Sequence, residues 1–477
     1  MEQGQFASAL QHLRQAVVLE PSRVHYLAQL ANALSIAQQI DEARLCADRA
    51  MELTPRDPVS FNALGQVYTR LQLHSRATVA FCDAVALMPN EAAYRFNLGN
   101  ALVADGRFSE AEQELGACIE LEPRYWPAYL ARAQLRRWSP DENHIEKLSS
   151  LALAHQDDDR ALSQLHMALS KECEDIGRYR DAFAHCTLGK TAGGSQRTYS
   201  SASDEALFKA LIASVRSAQP VDAGCATDEP IFVIGMPRTG TTLLERIITS
   251  HPDALSAGEL QNFGMAIKRM SGSLTRPMLD VDTISSLTEI DWQRLGENYL
   301  LSTRPATGKT PRFVDKLPHN FLYAGYIANA LPNARIICIR RHPIETCLSN
   351  FRQTFSPESP YYDYSYNLLD TGRYYVLFDR LMAHWKATFP DRIAEIRYES
   401  LVEAQEATTR TVLEHCGLSW NPACLRFQEN LSPVATASAA QVREPMYRSA
   451  LCRRKHYQSE LAELESLLIS EGIDFER

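Results

Sequence analysis

The sequence predicts an α-helical solenoid followed by an α/β domain built on a parallel sheet. Three observations carry this reading. Residue types recur every 34 positions through the first part of the chain. An apolar strand, a glycine-bounded turn and a helix run together at 230–252, and a second strand-to-helix junction follows about a hundred residues later.

Pro21, Pro55, Pro89 and Pro123 are each 34 residues apart, and the same period links Ala9, Ala43, Ala77 and Ala111, and Leu19, Leu53, Leu87 and Leu121. Ala31, Gly65, Gly99 and Ala133 supply the small residue where two helices touch. This is the period of tetratricopeptide repeats. Each repeat is a helix pair unable to bury its own apolar face, so stacking makes the core and leaves a concave surface suited to an extended peptide. The first helix reads as the second helix of a repeat, so the chain is expected to begin inside one. Cys46, Cys82 and Cys118 read as small core residues of the repeats.

From Trp138 the phase fails, although LSQLHMALSKECEDIGRYRDAFAHC still reads as a helical hairpin. SAQPVDAGCATDEP carries no helical pattern and reads as a linker. The expected domains are therefore repeats at 1–139, a helical cap and linker at 140–222, and an α/β domain at 223–477.

In PIFVIGMPRTGTTLLERIITSHP, Ile231 to Ile234 read as a buried parallel strand, while Leu243, Leu244, Ile247 and Ile248 recur at helical spacing. Gly235 and Gly240 permit close approach of an anion, which the helix N-terminus then faces. The spacing is that of a Walker loop, but Thr241 and Thr242 stand where that motif needs Lys followed by Ser or Thr. Without that lysine the loop is poorly built for a nucleoside triphosphate. It suits a shorter nucleotide, with Arg238 as its cation.

In ARIICIRRHPIETCLSNFRQTF, Ala334 to Ile339 form another buried strand and Ile344, Cys347, Leu348 and Phe351 mark the next helix. Arg341 at the strand end and Ser349 two helical turns later suit one oxyanion, as a bidentate cation plus a hydroxyl donor. Two anion sites fit a nucleotide with phosphate at both ends, such as 3'-phosphoadenosine 5'-phosphosulfate (PAPS).

PRTGTTLLER resembles the 5'-phosphosulfate loop of sulfotransferases, and RHPIETCLS resembles their 3'-phosphate motif, with Arg and Ser at the family's eight-residue separation. The likeness is nearest to tyrosylprotein-sulfotransferase-like enzymes and spans roughly 229–457. It implies a P-loop-like α/β sulfotransferase domain with a parallel sheet, and it implies roles by position. Thr239, Gly240, Thr241 and Thr242 fall in the 5' loop with Arg238. Glu259 in HPDALSAGELQNF matches the subgroup's catalytic base, Lys316 in FVDKLP its catalytic lysine, and Tyr398 in RYESL an adenine-contacting tyrosine. Ser438 in SAAQVREP, with Gln441 and Pro445, keeps its place among the cofactor-binding residues, while Arg453 stands where the subgroup has a lysine.

Composition agrees. The chain has 477 residues, 45% hydrophobic and 22% charged, and its net charge of -9 disfavours a nucleic-acid partner. The sequence shows neither an 18-residue apolar run nor a signal peptide, so no membrane is expected as a partner. Eleven cysteines without a C-x-x-C pattern point to free thiols in a reducing, cytoplasmic setting and to no metal.

The resulting expectation is a PAPS-dependent sulfotransferase whose repeats recruit a peptide or protein acceptor. Lys316 would meet the bridging oxygen and Glu259 the acceptor's proton, with no metal required. His319, three residues after Lys316, competes for the base role, but Pro318 is expected to turn the backbone and aim it elsewhere. SPESPYYDYSYN reads as an ordinary ordered loop. The alternative class is a repeat scaffold carrying a catalytically idle nucleotide fold. An idle fold has no need to keep Glu259, Lys316, Arg341 and Ser349 together.

Overall fold

The computed structural model describes residues 2–475, apart from 38, 55–56, 309, 357–358, 360, 431, 433, 435–440, 445 and 447. The chain divides into two compact units, Met1–Gly177 with Leu431–Gln441 and Arg178–Asn430 with Val442–Arg477.

The first unit is a succession of antiparallel helix pairs, among them Pro58–Arg70 with His74–Leu87 and Ala92–Asp105 with Phe108–Leu121. Asp57 caps one of these helices by accepting from the Ser60 amide at 2.7 Å, and Pro58 occupies its first turn. The small-residue column does what its period implies. A Cβ on Gly65 would lie 2.5 Å from the Phe81 ring, and one on Gly99 would lie 2.9 Å from Leu115. Ala43, Ala77 and Ala111 are wholly buried. The leucine column behaves differently, because Leu19, Leu53, Leu87 and Leu121 sit at helix ends and are exposed. Of the three repeat cysteines only Cys118 is buried, whereas Cys46 and Cys82 are partly exposed. Pro55 lies outside the described residues.

The division between units falls within 140–222. Ile145–Ala154 and Asp159–Asp175 belong to the first unit, Tyr179–Gly194 and Ser201–Ser214 to the second. Apolar burial explains this: Phe208 and Leu211 are part of the second unit's core, and Phe183 packs against it. The segment read as a linker is also tied to that unit. The Gln219 amide donates to Asn329 Oδ1 at 2.9 Å and the Cys225 amide to the Ala330 carbonyl at 2.9 Å.

The second unit holds a five-stranded parallel sheet: β1 Pro230–Ile234, β2 Ala254–Gly258, β3 Arg312–Asp315, β4 Arg335–Arg340 and β5 Ile393–Arg397, in the order β2-β3-β1-β4-β5. β1 is buried along its whole length, as expected of a central strand covered on both faces. The strand order reverses around β1, where open α/β sheets bind ligands beyond their strands' carboxyl ends. Among the described residues no helix is long and apolar enough to cross a membrane. Among the described residues no disulfide joins any of the cysteines.

Candidate active site

One edge of the sheet collects the candidate residues. The loop 235–240 follows β1, and Glu259, Lys316, Arg341 and Tyr398 are each the first residue after β2, β3, β4 and β5. Parallel strands deliver all of these to the same edge.

The loop after β1 is held in a form few residues tolerate. Gly240 has φ +106 and caps the helix Thr241–Thr249, and Arg238 adopts φ +65. A Cβ on Gly240 would lie 2.5 Å from Tyr398, so the tyrosine ring lies directly against the glycine. Thr239 is buried and its hydroxyl donates to the Met236 carbonyl at 2.7 Å, so this side chain braces the loop. Thr241 and Thr242, also buried, open the helix, whose first amides lack intrahelical partners and carry its positive dipole end. Asn350 Nδ2 donates to the Pro237 carbonyl at 2.7 Å, and the Gly235 amide donates to the Pro318 carbonyl at 3.2 Å. The loop is thereby tied both to the helix Pro343–Phe351 and to the segment after Lys316.

Arg341 gathers the second cluster. Its guanidinium donates to the Arg238 carbonyl at 3.4 Å, pairs with Glu345 at 3.2 Å and lies 5.0 Å from the centre of the Tyr398 ring. Eight residues on, Ser349 Oγ is buried without a hydrogen-bond partner. Glu345 also accepts from the Arg454 amide at 2.7 Å, which brings the segment Arg448–His456 against this helix. Arg453 in that segment is half-buried, and burial together with its charge pulls the Arg352 pKa down to about 9. Ser438 and Pro445 lie outside the described residues.

Glu259 and Lys316 meet at 2.5 Å. Their approach follows from the sheet, where Gly258 of β2 is the register partner of Asp315 of β3. Lys316 is 1% exposed. Burial alone pulls its ammonium down, but the carboxylates of Glu259 and Glu245 outweigh that and hold its pKa above the ordinary lysine value. Asp315 is wholly buried and braces both neighbouring segments. It accepts from the amides of Leu260 and Leu317, from Tyr299 at 2.9 Å and from Asn320 at 3.2 Å. Burial outweighs these donors and pushes its carboxyl up to about 7.

His319 occupies a different environment. Both of its ring nitrogens are buried and without partners. The ring stacks on Tyr361 at 4.7 Å and meets the edge of Tyr362 at 4.9 Å. Burial drives its pKa down to about 3, so the imidazole is neutral.

Sequence reasoning missed Glu345, Asp315 and Asn350. Glu345 had a signal, since it stands four residues after Arg341 at ion-pair spacing. Asp315 and Asn350 had none, because Leu260, Tyr299 and Pro237 reach them only through the fold.

The sulfotransferase family model matches residues 230–422, and a tetratricopeptide repeat model matches residues 92–125. An uncharacterised protein of Aquifex aeolicus is 33% identical over 249 residues, 51% of this chain and 33% of that protein. The chain thus spans about a third of that relative's length. Protein-tyrosine sulfotransferase 1 of Danio rerio is 24% identical over 242 residues, 50% of this chain and 67% of that protein. Among solved structures, the sulfotransferase domain from the curacin biosynthetic pathway is 16% identical with a TM-score of 0.34, covering 50% of this chain and 98% of its own. Residues 230–422 are a sulfotransferase-family domain, carried on one chain with a tetratricopeptide repeat.

Proposed function

We propose that this protein transfers a sulfuryl group from PAPS to an acceptor hydroxyl. The observation that carries the reading is the Glu259–Lys316 pair, standing on the same sheet edge as the 235–240 loop and Arg341. PAPS fits the residues present. The loop and helix N-terminus suit the 5' end, and the buried, unpartnered hydroxyl of Ser349, on the helix Pro343–Phe351 that follows Arg341, suits the 3' phosphate.

When bound, PAPS supplies a sulfuryl group already activated by a phosphate leaving group. Arg238 and the amides of Gly240, Thr241 and Thr242 would hold the 5' end, Arg341, Ser349 and Arg453 would hold the 3' phosphate, and Tyr398 would meet the adenine. Lys316 would donate to the bridging oxygen as negative charge builds there. Glu259 takes the proton of the acceptor hydroxyl. Lys316 and Glu259 therefore separate for the reaction, each turning to its own partner.

The acceptor is a peptide or protein tyrosine brought by the repeats. Two observations support this: the likeness to the Danio rerio protein-tyrosine sulfotransferase, and aromatic walls beside the base. Tyr362 is close enough to feel the charge of Glu259 and stacks on Phe355 at 4.0 Å. Radiolabelled sulfate transfer from PAPS to tyrosine peptides, small phenols and glycans tests the function. Label in the tyrosine peptides is the expected result; label in none of the three, from a protein that still binds a peptide through its repeats, favours a scaffold.

A further inference from the structure

Glu245 has no part in the chemistry just described, yet it is a buried carboxylate beside the reacting lysine. It lies on the helix Thr241–Thr249, is 7% exposed, and places Oε2 3.8 Å from Lys316 Nζ. Its other oxygen accepts from Ser256 Oγ at 2.6 Å, which fixes the side chain. A carboxylate taken out of water needs compensation; Lys316 and the Ser256 hydroxyl supply part of it, and burial still holds the Glu245 carboxyl above its ordinary value.

We infer that Glu245 is a positioning residue, which holds the Lys316 ammonium from the buried side so that the lysine stays charged and aimed once Glu259 turns to the acceptor. The inference rests on the roles proposed above for Lys316 and Glu259. Lys316, being 1% exposed, cannot exchange Glu259 for water when that contact opens. A second carboxylate at ion-pair range keeps its charge, and the 3.8 Å separation leaves the three ammonium hydrogens available to other acceptors. Glu245 also stands four and three residues after Thr241 and Thr242, on the same face of the helix. One short helix thus receives the 5' end of the cofactor and carries the brace for the lysine that serves it. The other charges bearing on this pair are Glu259 and Asp315 toward Lys316, and Glu259 and Arg246 toward Glu245. Arg246 only strengthens the negative charge of Glu245, and Glu259 is the contact that opens.

The test is calorimetric titration of adenosine 3',5'-bisphosphate into the full chain across pH 6 to 10, for wild type, Glu245→Gln and Ser256→Ala. With Glu245→Gln the burial of Lys316 is less opposed, so its charge is lost at lower pH. The expected result is near-wild-type affinity at pH 6 to 7 and a loss that grows with pH, reaching about tenfold once the pH stands one unit above the lowered Lys316 pKa. Ser256→Ala moves the affinity in the same direction by a smaller factor and keeps the test open if Glu245→Gln does not fold. An unchanged pH dependence in both variants overturns the inference, and so does an equal loss at every pH, which marks a purely structural role. Wild type that fails to bind the bisphosphate at any pH instead refutes the proposed function, and the role of Glu245 falls with it.

Discussion

Lys316 and Glu259 touch at 2.5 Å because each is the first residue beyond a register pair, Asp315 and Gly258, of neighbouring parallel strands. Backbone register brings the two side chains within reach of each other. Residues 57 positions apart are thereby delivered as one ion pair, with the buried Asp315 bracing the segment behind each.

Glu259→Gln keeps the shape and hydrogen bonding of the side chain but cannot take a proton. It is expected to lower kcat by about 10² to 10⁴ with bisphosphate affinity nearly unchanged. His319→Asn is expected to cost much less, since burial leaves that imidazole with a pKa near 3 and little basicity. Steady-state kinetics and calorimetry on both variants decide between them: a near-wild-type Glu259→Gln beside a folded but inactive His319→Asn transfers the role to the histidine.

Arg341→Ala is expected to raise the PAPS dissociation constant by one to two decades, about 1.5 to 3 kcal/mol for a charge-assisted contact. Ser349→Ala is expected to weaken binding by roughly 0.5 to 1.5 kcal/mol, yet to leave the melting temperature of the free protein unchanged or higher. The hydroxyl it removes is buried without a partner, so only the complex gains from it. A Ser349→Ala protein that melts lower and binds normally contradicts this assignment.

Burial of a neutral His319 also predicts acid sensitivity. Its folded pKa of about 3 lies below the unfolded value of 6.5, so the stability it contributes is complete above pH 6.5 and is lost progressively as pH falls toward 3. His319→Phe keeps a ring in the aromatic cluster and removes the titration. Urea unfolding of the two proteins is expected to show the variant gaining about 2 kcal/mol relative to wild type between pH 7 and pH 5. A pH-independent difference rules out this origin.

Gly240→Ala places a Cβ 2.5 Å from Tyr398 and forces a side chain onto φ +106. Binding of the bisphosphate is expected to fall at least tenfold, with about 1 to 3 kcal/mol of stability lost to backbone strain. Adding Tyr398→Ala relieves the contact but not the torsion, so the double variant recovers only part of the stability. Full recovery shows that the ring, and not the backbone, imposes glycine here.

Much of this molecule was legible from local pattern. The 34-residue period placed the small column, and Gly65 and Gly99 meet the partner side chains that such a column requires. Strand-turn-helix grammar located the loop at 235–240 and the helix that carries Ser349 after Arg341, because each is contiguous in sequence. The leucine column shared that period yet is exposed, since periodicity reports repetition and not which side faces the core.

What only the tertiary structure decided are the relations across sequence distance. Strand order and register bring Glu259 to Lys316, and Tyr398 against Gly240 and Arg341. Burial then assigns the electrostatics: it makes Glu245 and Asp315 internal partners of the site and silences His319 three residues from the lysine. A sequence carries its local periods openly, because a helix or strand is built from neighbours. Which carboxylate loses its water depends on every element packed around it, and that is settled only when the sheet is assembled.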